Sequence, residues 1–281
     1  MSLRKQLLRL ATITILTPVL FLLGCQSRLI YHPAGYRAEH ETLLRRAKGV
    51  RIPFTTAQGP QTAFYIPPRS AGAPPQTIWL CFGGNAALAL DWLHFTDLWE
   101  DDFAYLLVDY PGYGDCAGKP DPGSIRESGK AAFTALAAHL QQPEPDLRGR
   151  LAVLGHSLGC AAALMTAEDL DVRRGVLISP FTSMTDMGRI VLGWPLCLLN
   201  RHRFDNRRTL QAIATRPGAR FHLFHGSADE VIPVAMGREL GAMGTGAVTF
   251  REFPDAQHND ILVLHQDEIG RAMHSLAAPG A

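Results

Sequence analysis

Residues 151–160 read Leu151-Ala152-Val153-Leu154-Gly155-His156-Ser157-Leu158-Gly159-Cys160. Four apolar residues suited to a buried strand run into Gly-His-Ser-Leu-Gly, and the small, helix-favouring stretch Cys160 to Met165 follows without a break. Strand, G-x-S-x-G, helix is the context of a nucleophile elbow. The chain must turn so sharply at the serine that neighbouring side chains would clash, and glycine at 155 and 159 avoids the clash. Such a turn holds the Ser157 hydroxyl clear of the sheet and aims the first free N–H groups of the helix at whatever bonds to it.

Outward from the elbow the pattern alternates. Thr77–Phe82, Phe103–Asp109, Leu151–Leu154, Gly175–Ser179, Ala219–His225 and Ala247–Phe253 read as strands. Leu88–Trp99, Ser124–Leu140, Leu158–Asp169, Val234–Met243 and Ile261–Leu276 read as helices, with Ser124 and Glu127 spaced as a capping box. Val50–Thr55 and Gln61–Pro67 form a paired-strand opening, and Pro67–Pro75 is a surface loop. The expected class is α/β, a mostly parallel central sheet with helices on both faces. Thr182–Gly218 interrupts the alternation, apolar over Met184–Leu199 and then basic at Arg201, Arg203, Arg207 and Arg208. It is read as a small lid insertion, an ordinary long connection being the other possibility.

The amino terminus carries Arg4, Lys5 and Arg9, then an uncharged, mostly apolar run from Leu10 to Gly24. That is the pattern of an export signal, shorter than the roughly 18–20 apolar residues of a spanning helix and interrupted by Pro18. Leu22-Leu23-Gly24-Cys25 resembles the lipobox of bacterial lipoproteins, which implies cleavage before Cys25 and acylation of that residue. Gln26 at the second mature position implies, by the same resemblance, delivery to the outer membrane, facing the periplasm. An ordinary signal peptide or an uncleaved anchor are the alternatives. The expected organisation is a signal peptide over 1–24, a membrane-proximal segment over 25–49, and one domain over 50–281 with its insertion at about 182–218.

Loss of residues 1–24 removes three cations and no anions, so Lys+Arg falls from 27 to 24 against 26 Asp+Glu and the formal charge moves from +1 to −2. Such a balance argues against a nucleic-acid partner. With 47% hydrophobic residues the remainder can build one sizeable core. Cys81 and Cys160 read as small buried hydrophobes, whereas Cys116 and Cys197 fall in irregular segments and can pair in an oxidising compartment. No C-x-x-C or H-E-x-x-H pattern occurs, so neither metal nor cofactor is expected.

A serine hydroxyl is a poor nucleophile at neutral pH and needs a base, itself oriented by a third group. On a sheet of this kind the partners belong in loops past strand ends, acid before base in chain order. Past Phe221–His225 comes Gly226-Ser227-Ala228-Asp229-Glu230, which makes Asp229 the acid and Glu230 its competitor. Past Ala247–Phe253 comes Pro254-Asp255-Ala256-Gln257-His258, and His265 and His274 fall instead within a helix pattern. The base is therefore His258. For the oxyanion, the Leu158 N–H is one donor, and the glycine-rich turn Gly83-Gly84-Asn85-Ala86 offers Asn85 N–H, or Gly84 if a peptide rotates.

The turns Gly83–Ala86, Asp109-Tyr110-Pro111-Gly112-Tyr113-Gly114, Gly155–Gly159, His225–Asp229 with Val231-Ile232-Pro233, and Gln257–Asp260 together resemble the α/β-hydrolase superfamily over about residues 50–276. They are most similar to its bud-emergence-type, serine-aminopeptidase-like branch, which includes membrane-associated thioesterases and lysophospholipases. The resemblance implies Ser157 as nucleophile, His258 as base, Asp229 as orienting acid, and Asn85 with Leu158 as oxyanion donors. It departs at Gly83, where histidine is usual, and at Gln257, where glycine is usual. Asp109 reads as structural. The expected activity is a membrane-anchored serine hydrolase acting on an ester, thioester or lysophospholipid, its partners being that acyl substrate and, through the lipid on Cys25, the membrane. An aminopeptidase or amidase with the same triad, or an inactive lipid-tethered binding protein, are the rivals.

Overall fold

The central strands are apolar without interruption because both faces of the sheet are covered. In the computed structural model, which describes residues 3–70, 75–243 and 246–277, they are β3 (Thr77–Phe82), β4 (Phe103–Val108) and β5 (Leu151–His156), with every residue buried. They join β1 (Val50–Thr56), β2 (Gly59–Ile66), β6 (Arg174–Ile178), β7 (Arg220–Gly226) and β8 (Val248–Phe253) in one eight-stranded sheet. Its order is β1-β2-β4-β3-β5-β6-β7-β8, antiparallel at β1–β2 and β2–β4 and parallel elsewhere. The two-residue period of a strand splits the core. Ile78, Leu80 and Phe82 face one layer, and Trp79 and Cys81 face the other.

The helices are α1 (Leu3–Ile30), α2 (Ala38–Arg46), α3 (Leu93–Thr96), α4 (Pro122–Leu140), α5 (Glu144–Arg148), α6 (Leu158–Leu170), α7 (Met184–Leu192), α8 (Asn206–Ala214), α9 (Val234–Ala242), α10 (Ile261–Leu264) and α11 (Gln266–Leu276). α4 and α6 cover the face bearing Phe82, while α3 and α11 cover the face bearing Trp79. The mostly parallel sheet between helical layers, with an insertion after β6, is the class read from the sequence.

Several boundaries differ for identifiable reasons. α4 starts earlier than Ser124, because Asp121 Oδ1 accepts the N–H groups of Gly123 (2.8 Å) and Ser124 (2.9 Å), and Pro122 opens the helix. Ser124 closes the reciprocal bond, accepting Asp121 N–H at 2.9 Å, whereas Glu127 caps the β1–β2 turn at Ala57 N–H. Leu88–Trp99 is a 3₁₀ turn (Ala89–Trp92) plus the single turn of α3, with Leu88, Ala89, Leu90, Trp92 and Leu93 all buried. The closing helix breaks at His265, whose ring stacks on Phe253 at 3.7 Å between centroids.

The Thr182–Gly218 segment divides into unlike halves. Its basic half is α8, an ordinary crossover helix with Thr209, Leu210 and Ile213 buried against α6. The apolar half, α7 and the 3₁₀ turn Leu196–Leu199, has only Cys197 buried and is the true insertion. Cys116 and Cys197 do not pair: both are free and buried, Cys116 against Thr62 of β2 and Cys197 inside the insertion. Of the Pro67–Pro75 loop, residues 71–74 lie outside those described. Among the described residues no single helix is long and apolar enough to cross a membrane, although Thr12–Phe21 and Leu23–Ile30 of α1, bent by 43°, reach that length and hydropathy together.

Candidate active site

All of the sequence-identified groups stand past the carboxyl ends of strands, on one edge of the sheet. Asn85 follows β3, Ser157 follows β5, Asp229 follows β7, and His258 follows β8. Because β3 pairs with β5 and β7 with β8, strand order alone sets Asn85 beside Ser157 and Asp229 beside His258.

Ser157 has φ 55° and ψ −119°, a strained conformation for a residue with a side chain. Packing holds it there. A Cβ on Gly155 would stand 2.4 Å from Gly159 O, and one on Gly159 would stand 2.0 Å from Phe82 O. Ser157 N–H donates to Ile178 O of β6 at 2.9 Å, which ties the elbow to the sheet. Leu158 is the first residue of α6, so its N–H lacks an intrahelical acceptor and points to the site.

Asp229 is fully buried at its side chain. Its Oδ1 accepts the N–H groups of Val231 (3.0 Å) and Ile232 (2.7 Å), which fixes the carboxylate, and its Oδ2 meets His258 Nδ1 at 2.8 Å. Burial alone would raise its pKa. Hydrogen bonds from His225 and His258, and from Ile232 N–H, outweigh that and hold it well below the usual carboxylate range. An ionised Asp229 keeps the proton of His258 on Nδ1 and leaves Nε2 bare, as a general base requires. Glu230 takes a different part: it accepts the backbone N–H of His258 at 3.2 Å.

Two further imidazoles support this pair, and sequence reasoning gave neither a role. His225 is wholly buried, with Nε2 2.9 Å from Ile232 O and 3.2 Å from Asp229 Oδ2. His156 Nε2 donates to the backbone carbonyl of His258 at 3.1 Å, with ring centroids 5.0 Å apart. Burial, reinforced by the nearby His258, depresses the His156 pKa to about 4, so it is neutral at physiological pH and its Nε2–H is a dependable donor. His156 is the x of G-x-S-x-G and thus links elbow to base. The signal available was a large titratable residue closing an otherwise apolar strand, directly before Ser157. Among the described residues the Ser157 hydroxyl is not hydrogen-bonded to His258; hydrogen bonds of this kind commonly tighten only when substrate binds.

The Gly83–Ala86 turn lies directly on the elbow: a Cβ on Gly84 would stand 3.1 Å from His156 Nδ1 and 3.5 Å from Ser157 Cβ. Asn85, rather than Gly84, lines the same cavity as Ser157 and Leu158. Its side chain is spent elsewhere. Oδ1 accepts His32 N–H (3.0 Å) and Tyr113 OH (2.7 Å), and Nδ2 donates to Ile30 O (2.6 Å), so both polar atoms of the side chain are already partnered. The two departures from the family pattern cause no disorder. Gly83 O accepts Tyr110 OH at 2.5 Å, and Gln257 N–H donates to Asp260 Oδ1 at 2.7 Å. Asp109 is structural, as read: it accepts Ala89 N–H at 2.8 Å and Tyr36 OH, and burial pushes its pKa up to about 7.

Those bonds reveal a strap of residues 26–36 that the sequence did not. Gln26, immediately after the half-buried Cys25, donates to Leu199 O (2.7 Å) and accepts Arg201 N–H (2.8 Å). Ser27 and Tyr31 both bond the His202 ring, at 3.2 and 3.1 Å. Farther on, Ala34 O accepts Gly114 N–H at 2.8 Å. The strap thus connects the insertion to the Gly83–Ala86 turn. Strap, insertion and elbow enclose a cavity of about 400 Å³ lined by Leu29, Ile30, Met184, Met187, Val191, Leu196 and Ile232, among others, with Ser157 in its wall and no charged side chain. That volume is within the roughly 300–1,000 Å³ typical of small-molecule sites.

Comparison with known proteins gives the family and the fold. The sequence model of the alpha/beta hydrolase family matches residues 71–217, a span that includes the Gly83–Ala86 turn and the elbow but ends before Asp229 and His258. The uncharacterized protein Rv2307c of Mycobacterium tuberculosis is 29% identical over 250 residues, covering 86% of this chain and 83% of that protein. Among solved structures, the Pyrococcus furiosus esterase Pf2001 superposes with TM-score 0.66 at 15% identity, covering 88% of this chain and 97% of its own. XC6422 from Xanthomonas campestris, described as a serine hydrolase without lid, superposes with TM-score 0.59 at 14% identity, covering 83% and 97%. At these identities the structural likeness is one of fold.

Proposed function

The chain belongs to the alpha/beta hydrolase family, and on that premise we propose that it is a membrane-anchored serine hydrolase cleaving a carboxylic ester, thioester or lysophospholipid. The observation that carries the reading is the 2.8 Å contact from Asp229 Oδ2 to His258 Nδ1, on the sheet edge that also bears the strained Ser157. His258 Nε2 takes the Ser157 proton as Oγ attacks the substrate carbonyl. The N–H groups of Asn85 and Leu158 hold the oxyanion of the tetrahedral intermediate. As it collapses, His258 returns the proton to the leaving group, and water repeats the cycle on the acyl-serine. Cys25 is the lipidated residue in this reading, and the outer membrane, periplasmic side, is the expected location.

The cavity supports an acyl chain over a peptide. An aminopeptidase needs a carboxylate to hold the substrate ammonium, and no charged side chain lines the space beside Ser157. Each methylene buried there contributes about 0.8 kcal/mol to binding. The test is turnover of a p-nitrophenyl ester series from short to long acyl chains alongside peptide amides. Ester cleavage with KM falling as the chain lengthens is expected. Preference for amides would overturn the acyl reading, and no turnover of either class would favour the inactive binding protein.

A further inference from the structure

Four exposed apolar side chains gather on the insertion, Ile190 (56% exposed), Val191 (76%), Trp194 (73%) and Leu198 (51%), the second and third being the most exposed large apolar side chains among the described residues. Leu20, Phe21 and Leu29 of α1 are exposed as well. The two groups form one region, because Gln26 fastens the end of α1 to Leu199 and Arg201, and Leu29 and Ile30 share the cavity wall with Val191 and Leu196. Cations predominate along its border, the one acid of α7, Asp186, being paired with Arg207. Arg28, Arg189, Arg201 and Arg203 lie in these segments, and no Asp or Glu occurs in residues 1–38 or 187–204. An apolar patch of this kind marks an interaction site, and a cationic border selects an anionic partner surface.

We propose that α7 and the turn Leu196–Leu199 are a bilayer-docking surface, and that the acyl substrate enters the cavity between α7 and the end of α1 directly from the lipid phase. The inference rests on the reading of an acyl hydrolase tethered at its amino terminus. The occupant follows from position: whether α1 is retained or a lipid is carried on Cys25, the apolar phase begins one residue from the Gln26 clamp. Two hydrogen bonds of Gln26, to Leu199 O and from Arg201 N–H, tie the insertion to that phase. Trp194, with an apolar ring and a polar N–H, is suited to the interface.

The full chain, reconstituted in phosphatidylethanolamine–phosphatidylglycerol vesicles carrying brominated acyl chains, tests this without reference to turnover. Trp79, Trp92 and Trp99 are buried, so quenching of tryptophan emission reports Trp194. Emission of the unmodified chain is expected to be quenched by the brominated lipid, and that quenching should vanish in Trp194→Phe. Absence of quenching, or equal quenching in both, overturns the proposal; so does a dimer that Trp194→Asp dissociates, which would seat a second copy on the patch. In Ile190→Asp/Trp194→Asp, hydrolysis of a long-chain ester held in the vesicle should fall about tenfold or more, the factor for keeping one large apolar side chain out of its apolar phase. Hydrolysis of a soluble short-chain ester should not change. A parallel loss on both substrates would also overturn it. If no ester is turned over by any variant, the hydrolase reading fails, while the quenching result still decides the surface.

Discussion

Behind Ser157 the site is built of buried polar groups, each held by the next: Asp229 by two backbone N–H groups, His258 by Asp229 and Glu230, and the His258 carbonyl by His156. In front of it the walls are methionine, leucine, valine and isoleucine, held in place by the strap through Gln26, Ser27 and Tyr31. The rear rests on strand ends. The front rests on an insertion with a single buried residue among those of α7 and the following turn. On the proposed function the difference separates two tasks: proton transfer needs fixed tautomers and fixed distances, whereas an acyl chain needs apolar surface.

If the tasks are separate, changes behind Ser157 should lower kcat for every substrate, and changes in front should alter only how chain length is read. The largest effect is expected from Asp229→Asn, which replaces the carboxylate that orders His258. Turnover should fall up to about 10⁴-fold because the imidazole is then held in the wrong tautomer, with circular dichroism and melting temperature little changed. A rate near that of the unmodified protein, measured by ester hydrolysis, would remove Asp229 from the mechanism.

His156→Phe keeps a ring but leaves the His258 carbonyl without its donor, an unsatisfied buried acceptor costing about 1–3 kcal/mol. That cost falls on stability; kcat should fall by up to about 100-fold, as expected when a catalytic group is displaced, with KM unchanged. The same residue governs acid stability. Its folded pKa, about 4, lies below the ordinary 6.5, so as pH falls from 6.5 towards 4 the unfolded chain binds a proton that the folded chain refuses. Stability therefore declines over that window, by up to about 3 kcal/mol, and is regained as pH rises. Urea melts at pH 4.5 and 7 should show this loss in the unmodified protein and a smaller one in His156→Phe. Equal losses would mean that His156 is not held neutral.

The smallest effect belongs to the front. Gln26→Ala removes two neutral hydrogen bonds to the insertion, worth together about 1–2 kcal/mol. KM for long-chain esters should rise about five- to tenfold while short-chain hydrolysis barely moves. A uniform loss across chain lengths would break the separation of tasks.

How much of this was legible followed the reach of each interaction. The elbow is written in five consecutive residues, because a turn that admits only glycine at Gly155 and Gly159 leaves its mark locally. Asp229 and His258 were found by rank order past strand ends, since parallel strands bring their carboxyl ends to one edge. The strap was not legible: Gln26 and its partner Leu199 are 173 residues apart, and the partner atom is a backbone carbonyl, which carries no side-chain signal. Asn85 was identified for its backbone, and nothing local announced that its side chain grips Ile30 and His32. At α4 the evidence was present but misallotted. Ser124 and Glu127 have capping-box spacing, but Asp121 followed by Pro122 is the stronger start, because proline at the first helical position forgoes an N–H that has no partner.

The central claim, that Ser157 is made nucleophilic by His258 and Asp229, is tested most directly by a fluorophosphonate, which reacts only with an activated hydroxyl. After incubation of the full chain at neutral pH, peptide mass spectrometry should place one adduct on Ser157, absent from Ser157→Ala and slowed at least as far as turnover in Asp229→Asn. An unlabelled chain, or labelling undiminished in Ser157→Ala, would contradict the account.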